Sequence, residues 1–405
     1  MNRKVTLKYI FIQAIYWGVV CVVMGYAVTF MKDLGYSNSY IGVTMAIANL
    51  ASAFTQPILA NVADINPKWT VTGVNIVLSV LMLVLSAILV VYKNATLLLT
   101  LILIILTVVV STMQPFLNSL AVKYEESGRA VNYGVCRAAG SLFYAIVSAI
   151  LGELLVFLPG KIIPISAVLL CLLLLVSAVI NKVGISDSVS QEPSEKSENS
   201  DATPLPEFLK KNKRFVIYII GVSLIFYMHM VLTTYSIQIV ENVGGDTSSM
   251  GFSLAISAAF ELPAMIGFNF LIKKFKVQTL LKISAISFSV KALAMAVATT
   301  PTMIYLAQFF QISAFALYIP SSVYYVAHLF KNSDLNKGQS LTTMATAIGP
   351  VFSNLFTGYL IDRFSVSTTL WISLGISVIG TVIMIVTVED FKHDDFDKKT
   401  LSKCG

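Results

Sequence analysis

Four charged residues stand inside long apolar runs of this chain: Arg137, Glu153, Glu261 and Lys291. An ionised group in a bilayer costs from about 2.5 to more than about 10 kcal/mol, so such groups face a cavity, find a partner and mark sites where solutes or protons are handled. A guanidinium and a carboxylate facing one cavity bind a polar solute by charge-assisted hydrogen bonds, and the carboxyl can also carry a proton. At 1.5 Å per residue, Glu261 lies about 16 Å from the nearer end of its run, the middle of a bilayer, and Arg137 about 10 Å or deeper in its own. The two lie in opposite halves of the chain, and they either face each other across a central cavity or form a structural ion pair that locks the halves. Lys291 sits nearer the opposite boundary, either as a site residue or as a snorkelling lysine. Glu153 reads as an interfacial charge.

A polar and aromatic set accompanies these charges: Tyr16, Tyr26, Asn49, Asn118, Tyr144, His229, Tyr235, Gln238, Gln308, Gln311, Tyr318 and Asn354. Amides and tyrosines hydrogen-bond hydroxyls, and tyrosine rings stack on sugar or aromatic rings. His229 has the side-chain chemistry of a proton relay, or else it is simply a packed, hydrogen-bonded histidine. No P-loop, nucleophile motif or metal-ligand cluster is present. Cys21, Cys136, Cys171 and Cys404 have neither redox nor metal-ligand spacing and read as small buried hydrophobes. Catalysis, a cofactor and a bound metal are therefore not expected.

The elements that must position these residues follow from composition. Of 405 residues, 56% are hydrophobic and only 12% charged, about half the charge of a soluble chain. A soluble enzyme and a nucleic-acid binder are excluded, and the net charge of +7 is scattered over short loops. Apolar runs at 9–31, 38–62, 69–92, 95–122, 130–158, 162–181, 215–240, 248–272, 278–299, 302–330, 338–361 and 366–388 predict twelve spans. Their continuous apolarity means helices, because barrel strands alternate. The first run is too long for a cleavable leader. With the N-terminus inside, twenty-two Lys and Arg fall in cytoplasmic segments against four outside, which predicts both termini cytoplasmic.

The polar, Pro/Ser-rich segment 185–212 divides the chain six plus six, and its composition cannot bury enough surface to fold alone. The expected organisation is an N-terminal half, 1–184, a cytoplasmic linker, 185–212, a C-terminal half, 213–388, and a cytoplasmic tail, 389–405. A short helix over 205–211 is expected in the linker. A faint repeat supports two related halves. Pro115 in span 4 matches Pro320 in span 10, and Pro57 in span 2 matches Pro263 in span 8.

Four patches carry a resemblance to the major facilitator superfamily, in its oligosaccharide–proton symporter (lactose permease-like) and phenylpropionate permease branch. QPILANVAD at 56–64 resembles the loop 2–3 motif, with Gln56, Pro57 and Asp64 in place, Ala60 for the usual glycine and the basic tail reduced to Lys68. NYGVCRAAGSLFY at 132–144 resembles the span-five patch, where Arg137 takes the place of a sugar-binding arginine and Tyr144 that of a stacking aromatic. AAFELPA at 258–264 places Glu261 as the sugar-binding glutamate, and SVKALA at 289–294 places Lys291 at a basic position of span nine.

The resemblance implies an all-α polytopic membrane protein of twelve helices in two pseudo-symmetric halves. It implies secondary active uptake of a sugar or glycoside with a proton across the plasma membrane, by a monomer. With the polar and aromatic set read above, the expected substrate residues are Arg137, Glu261, Tyr144, Asn118, Lys291, Gln311 and Tyr26. Proton coupling falls on Glu261 and His229, and the cytoplasmic gate on Asp64 and Lys68. Departures from the family pattern leave other readings open. Asn118 replaces a carboxylate, and Gln308, Gln311 and Ala314 stand where the family has lysine, histidine and glutamate. An aromatic-acid or nucleoside carrier, possibly a uniporter, is the alternative, and a non-transporting sensor is the remote one.

Overall fold

The structure is a computed structural model, and it describes residues 3–65, 69–91, 94–129, 131, 133–158, 161–181, 204–330 and 333–390. Among the described residues twelve helices are long and apolar enough to cross a membrane. Spans 1 to 6 are Lys4–Asp33, Asn38–Ala63, Val71–Val91, Leu97–Glu125, Tyr133–Phe157 and Ile162–Ile180. Spans 7 to 12 are Lys213–Thr234, Thr247–Phe268, Val277–Ala296, Pro301–Leu329, Asp334–Arg363 and Val366–Thr387. Large apolar side chains such as Val77, Leu169, Ile266 and Val386 point outward. That surface is stable only against lipid.

Lys8 Nζ donates to the Ile180 carbonyl at 3.3 Å, and Arg214 Nε to the Thr387 carbonyl at 2.9 Å. The starts of spans 1 and 7 therefore sit beside the ends of spans 6 and 12, on what is called here the terminal face. Spans 4, 8, 10 and 12 start from the opposite, far face. Each starts behind a capping oxygen, on Thr96, Asp246, Thr300 and Ser365 respectively, which satisfies an otherwise orphaned amide. Most of the linker, 182–203, and the tail beyond 390 lie outside the described residues. Leu205–Lys211 is a helix, and its Phe208 is buried with ring centroids 5.0 Å from Phe330 and 6.4 Å from Phe215.

Three spans expected to be continuous are interrupted. Span 1 widens at Cys21–Gly25, where the Tyr26 amide reaches back five residues to the Cys21 carbonyl. Wide turns of this kind gather at functional sites. The helix running through span 7 breaks at Tyr235 and resumes as Ser236–Glu241. Span 10 tightens over Gln308–Gln311 and restarts at Phe315, with the Ala314 carbonyl accepting from the Tyr318 amide at 3.1 Å and from Ser284 Oγ at 2.7 Å.

The two groups of six helices meet mainly where span 5 crosses span 8 and span 2 crosses span 11. Among the described residues, the polar contacts between the groups lie on the far side. Lys32 pairs with Glu241, Ser248 Oγ donates to Glu153 at 2.6 Å, and Asp362 accepts from Asn38 and Ser39.

Candidate functional site

Between the groups, at mid-height, lies a cavity of about 170 Å³. One of about 150 Å³ holds a benzene ring, so the scale is that of a single ring. The first half contributes Trp17, Arg137, Ser141 and Tyr144; the second contributes His229, Glu261, Lys291, Gln308, Gln311 and Phe315, with a few small or apolar residues.

Arg137 lies four residues past the helix start at Tyr133, about 6 Å along the axis. This is shallower than expected, because the helix begins after the apolar run does. Its long side chain covers the difference. Nη1 donates to Ser141 Oγ at 2.7 Å, one turn on, and the guanidinium carbon stands 3.8 Å from the Trp17 ring centre. Trp17 is held in turn by Gly140: a Cβ there would fall 2.4 Å from the indole Cδ1. Cation–π contact of this kind fixes the plane of the guanidinium as well as stabilising its charge. Seven residues past Arg137, on the same face, Tyr144 also lines the cavity.

On the opposite wall three side chains form a chain. Lys291 Nζ, almost fully buried, donates to Gln311 Oε1 at 2.5 Å, and Gln311 Nε2 donates to Glu261 Oε1 at 2.9 Å. The tightened turn of span 10 presents Gln308 and Gln311 together, three residues apart, as that geometry eclipses side chains. Gln308 Nε2 donates to Ser253 Oγ at 2.9 Å. His229 stacks on Phe315, with centroids 4.8 Å apart and planes 10° from parallel, and its Nδ1 is buried without a hydrogen-bond partner.

The structure thus brings Arg137, Tyr144, His229, Glu261, Lys291 and Gln311 to one cavity. Two expected substrate residues are elsewhere. Tyr26 is fully buried at the break in span 1 and donates to the Ser148 carbonyl at 2.7 Å, on the far side of the cavity. Asn118 is half-buried in span 4 and accepts from Tyr133 Oη at 3.1 Å. Of the wider polar set, Tyr16 donates to the Val110 carbonyl, Tyr235 to the Asn354 carbonyl and Gln238 to Asn38, so these serve the packing. Arg137 and Glu261 share the cavity without an ion pair within 4 Å. Asp64 lies in the last turn of its helix; its side chain and Lys68 lie outside the described residues. Trp17 was not anticipated, since the pattern of the first span does not show which of its aromatics faces inward. Ser141, one turn after Arg137, was legible as its partner from spacing alone.

A second groove, of about 470 Å³, runs between spans 7, 11 and 12. Phe352, Phe356, Leu224 and Ile376 line it, and among the described residues it holds no carboxylate, ammonium, guanidinium or imidazole.

The chain is 26% identical over 295 residues to an uncharacterised transporter, YwbF, of Bacillus subtilis (strain 168), covering 70% of this chain and 69% of that one. It is 22% identical over 387 residues to a maltose permease of Geobacillus stearothermophilus, covering 89% and 88%. In fold it is similar to the crystal structure of the nucleoside transporter NupG, with TM-score 0.78, 17% identity and coverage of 96% of this chain and 100% of that one. A bacterial homologue of the lysosomal transporter Spinster, inward-facing and unoccupied, matches with TM-score 0.68 and 12% identity, covering 95% and 96%. The family model of the MFS_1 like family matches residues 6–394. This protein therefore belongs to that family and is a secondary transporter of the major facilitator fold.

Proposed function

We propose that the protein carries a hydroxylated ring solute, of the sugar or glycoside class, across the plasma membrane by alternating access, as a monomer and together with a proton. One observation carries the reading. Arg137 and Glu261, from opposite six-helix groups, face one ring-sized cavity whose far side is closed by contacts between the groups. Rocking the groups exchanges the open side while the site stays at mid-height. The excess of Lys and Arg in the loops of the terminal face supports a cytoplasmic location for both termini. On that orientation the closed far side is the outer one, and the conformation described is closed to the outside.

Tyr144 and Trp17 supply ring faces, and the amides of Gln308 and Gln311 supply donors and acceptors for hydroxyls. Glu261 is the cavity's single carboxylate among the described residues, so the proton is assigned to it. Substrate drawing Arg137 toward itself changes the field at Glu261 and so couples the two events. The nucleoside and aromatic-acid reading shares the same aromatic walls and differs in the charge of the solute.

The test is substrate-induced alkalinisation of lightly buffered cells making the protein, with mono- and disaccharides, nucleosides and aromatic acids. Alkalinisation by one class, lost in Glu261→Gln and in Arg137→Ala, is the expected result. Accumulation driven by a pH gradient that survives in Glu261→Gln removes the proton from that residue. Equilibration of labelled solute with no pH change makes the protein a uniporter.

A further inference from the structure

The charges of the cavity do not balance. Lys291 and Glu261 are already matched to one another. The amide of Gln311 stands between them with its oxygen toward the ammonium and its nitrogen toward the carboxylate, so its dipole links both charges in one closed chain. Arg137 has no such partner. It uses one donor on Ser141 Oγ and lays its face on Trp17. Among the described residues no carboxylate lies within ion-pair distance of it. A guanidinium has five N–H donors in a planar fork, so most of its capacity is unspent. His229, stacked on Phe315 in the same wall, can only add to the positive count.

While the cavity is open to water, solvent satisfies Arg137. When the groups close around a solute that water is expelled, and a buried cation without a counter-charge is strongly unfavourable. A neutral sugar offers hydroxyl oxygens but no charge. A carboxylate offers both oxygens to the fork in the bidentate geometry that arginine favours.

We infer that the transported solute is a monoanion: a single ring bearing one carboxylate, which Arg137 takes while Tyr144 and Trp17 receive the ring. This rests on the reading above that the central cavity is the substrate site, and it narrows the solute to the acidic members of the class. Gln311 is then the residue that sets the charge preference. With Glu261 ionised, by tying Lys291 to it Gln311 leaves Arg137 the one uncommitted cation of the cavity among the described residues.

The experiment measures binding and uptake by the purified full-length protein in liposomes at one pH, using matched pairs: glucuronate with glucose, galacturonate with galactose, and 3-phenylpropionate with 3-phenylpropanol. At least one acid is expected to bind about tenfold or more tightly than its neutral partner, the scale of a charge-assisted hydrogen bond. In Arg137→Gln that ratio falls to near one. In Arg137→Lys, which keeps the charge and loses the fork, it is intermediate. Gln311→Glu supplies a second carboxylate inside the wall, so the acids lose more binding than their neutral partners do. Thermal unfolding of each variant separates loss of the site from loss of the fold. Preference for the neutral member of every pair, or an equal loss for both members in Arg137→Gln, overturns the inference and leaves the transporter reading standing. If neither acids nor neutrals bind to folded protein, the placement of the substrate site falls, and the inference with it.

Discussion

The two crossings that close the far face have the same anatomy and different fastenings. In each, a tyrosine at the break of a span points its hydroxyl into a glycine-lined crossing of two other helices. Tyr26 of span 1 donates to the Ser148 carbonyl where span 5 crosses span 8, and Tyr235, ending span 7, donates to the Asn354 carbonyl where span 2 crosses span 11. The backbones nearly touch at both. A Cβ on Gly152 would fall 2.8 Å from the Gly251 Cα, and one on Gly358 would fall 2.1 Å from the Asn38 carbonyl oxygen. At the 2–11 crossing the Asp362 carboxylate also accepts four hydrogen bonds, from the amides and side chains of Asn38 and Ser39, at 2.6–3.2 Å. These amides begin span 2, so a carboxylate from one half caps a helix of the other, where the helix dipole favours it. The buried heart of the 5–8 crossing is held by neutral groups, chiefly Ser148 Oγ donating to the Gly251 carbonyl at 3.0 Å. The repeated geometry is a pivot, and the added charge makes one pivot a latch. When the far face opens, the 2–11 crossing must break four carboxylate hydrogen bonds, against the single bond from Ser248 Oγ to Glu153 at the edge of the 5–8 crossing.

The largest effect is expected from removing the close approach at the latch. Gly358→Leu cannot be accommodated against the Asn38 carbonyl, so the far face should stay open and transport should fall by more than tenfold. Labelling of Gln238→Cys by an impermeant maleimide, in a background without the native cysteines, should rise as transport falls. Unchanged labelling would mean that the crossing is not what closes this face. Asp362→Asn comes next. It keeps the shape, loses the charge and turns one of the two acceptor oxygens into a donor amide, so two of the four hydrogen bonds, each worth about 1.5–3 kcal/mol when charged, lose their acceptor. The same labelling should speed up about tenfold or more, whereas the neutral change Ser148→Ala at the other crossing should alter it little. Equal effects of the two would erase the distinction between latch and pivot.

The tyrosines give a smaller and more symmetrical test. Tyr26→Phe and Tyr235→Phe each remove one hydroxyl bond to a carbonyl, about 1 kcal/mol, or about fivefold in the open fraction. If the anatomy is truly repeated, the two should match within error. A much larger effect of Tyr235→Phe would make that hydroxyl part of the latch, beside Gln238, whose Nε2 donates to Asn38 at 2.8 Å.

This repeated geometry was only half legible in the sequence. Twelve spans follow from hydropathy, and the charges at 137, 261 and 291 stand out because a bilayer makes them costly. Arg137 and Tyr144, seven residues apart, fall on one helical face by simple periodicity. Tyr26 was misplaced for a specific reason. The wide turn at Cys21–Gly25 inserts about one residue, and one residue is about 100° of rotation, so everything beyond it faces away from where a regular helix would put it. Nothing in CVVMG announces that turn. Asn118, set by correspondence with another protein's carboxylate, is not among the residues lining the central cavity. A half-buried amide in a long apolar helix carries no periodicity of its own to correct that. Asp362 was passed over because a carboxylate at the end of a span looks like ordinary solvated charge. Only the fold brings the start of span 2 beneath it.

The smallest expected effect tests the 5–8 crossing from its edge. Asp246 caps span 8, its Oδ1 accepting from the Ser249 amide at 2.8 Å and from Ser249 Oγ at 2.9 Å. The next residue, Thr247, has its carbonyl 2.7 Å from where a Cβ on Gly152 would lie. The cap therefore fixes the helix turn on which the 5–8 crossing rests. The Ser249 amide holds the Asp246 carboxyl below its ordinary range. The sign follows: a carboxyl lowered in the folded state stabilises above its unfolded value, near about 4, and that contribution is lost as the pH falls through the lower folded value. Asp246→Ala should cost about 1 kcal/mol, as for other helix caps. Measured by thermal unfolding in detergent, the gap between the wild type and Asp246→Ala should be constant from pH 8 to about pH 5 and shrink below that. A gap that widens as the pH falls would show that Asp246 acts through something other than its charged cap. If Asp246→Ala leaves labelling of Gln238→Cys unchanged while lowering stability, the 5–8 crossing is a passive pivot whose edge can soften without opening the latch.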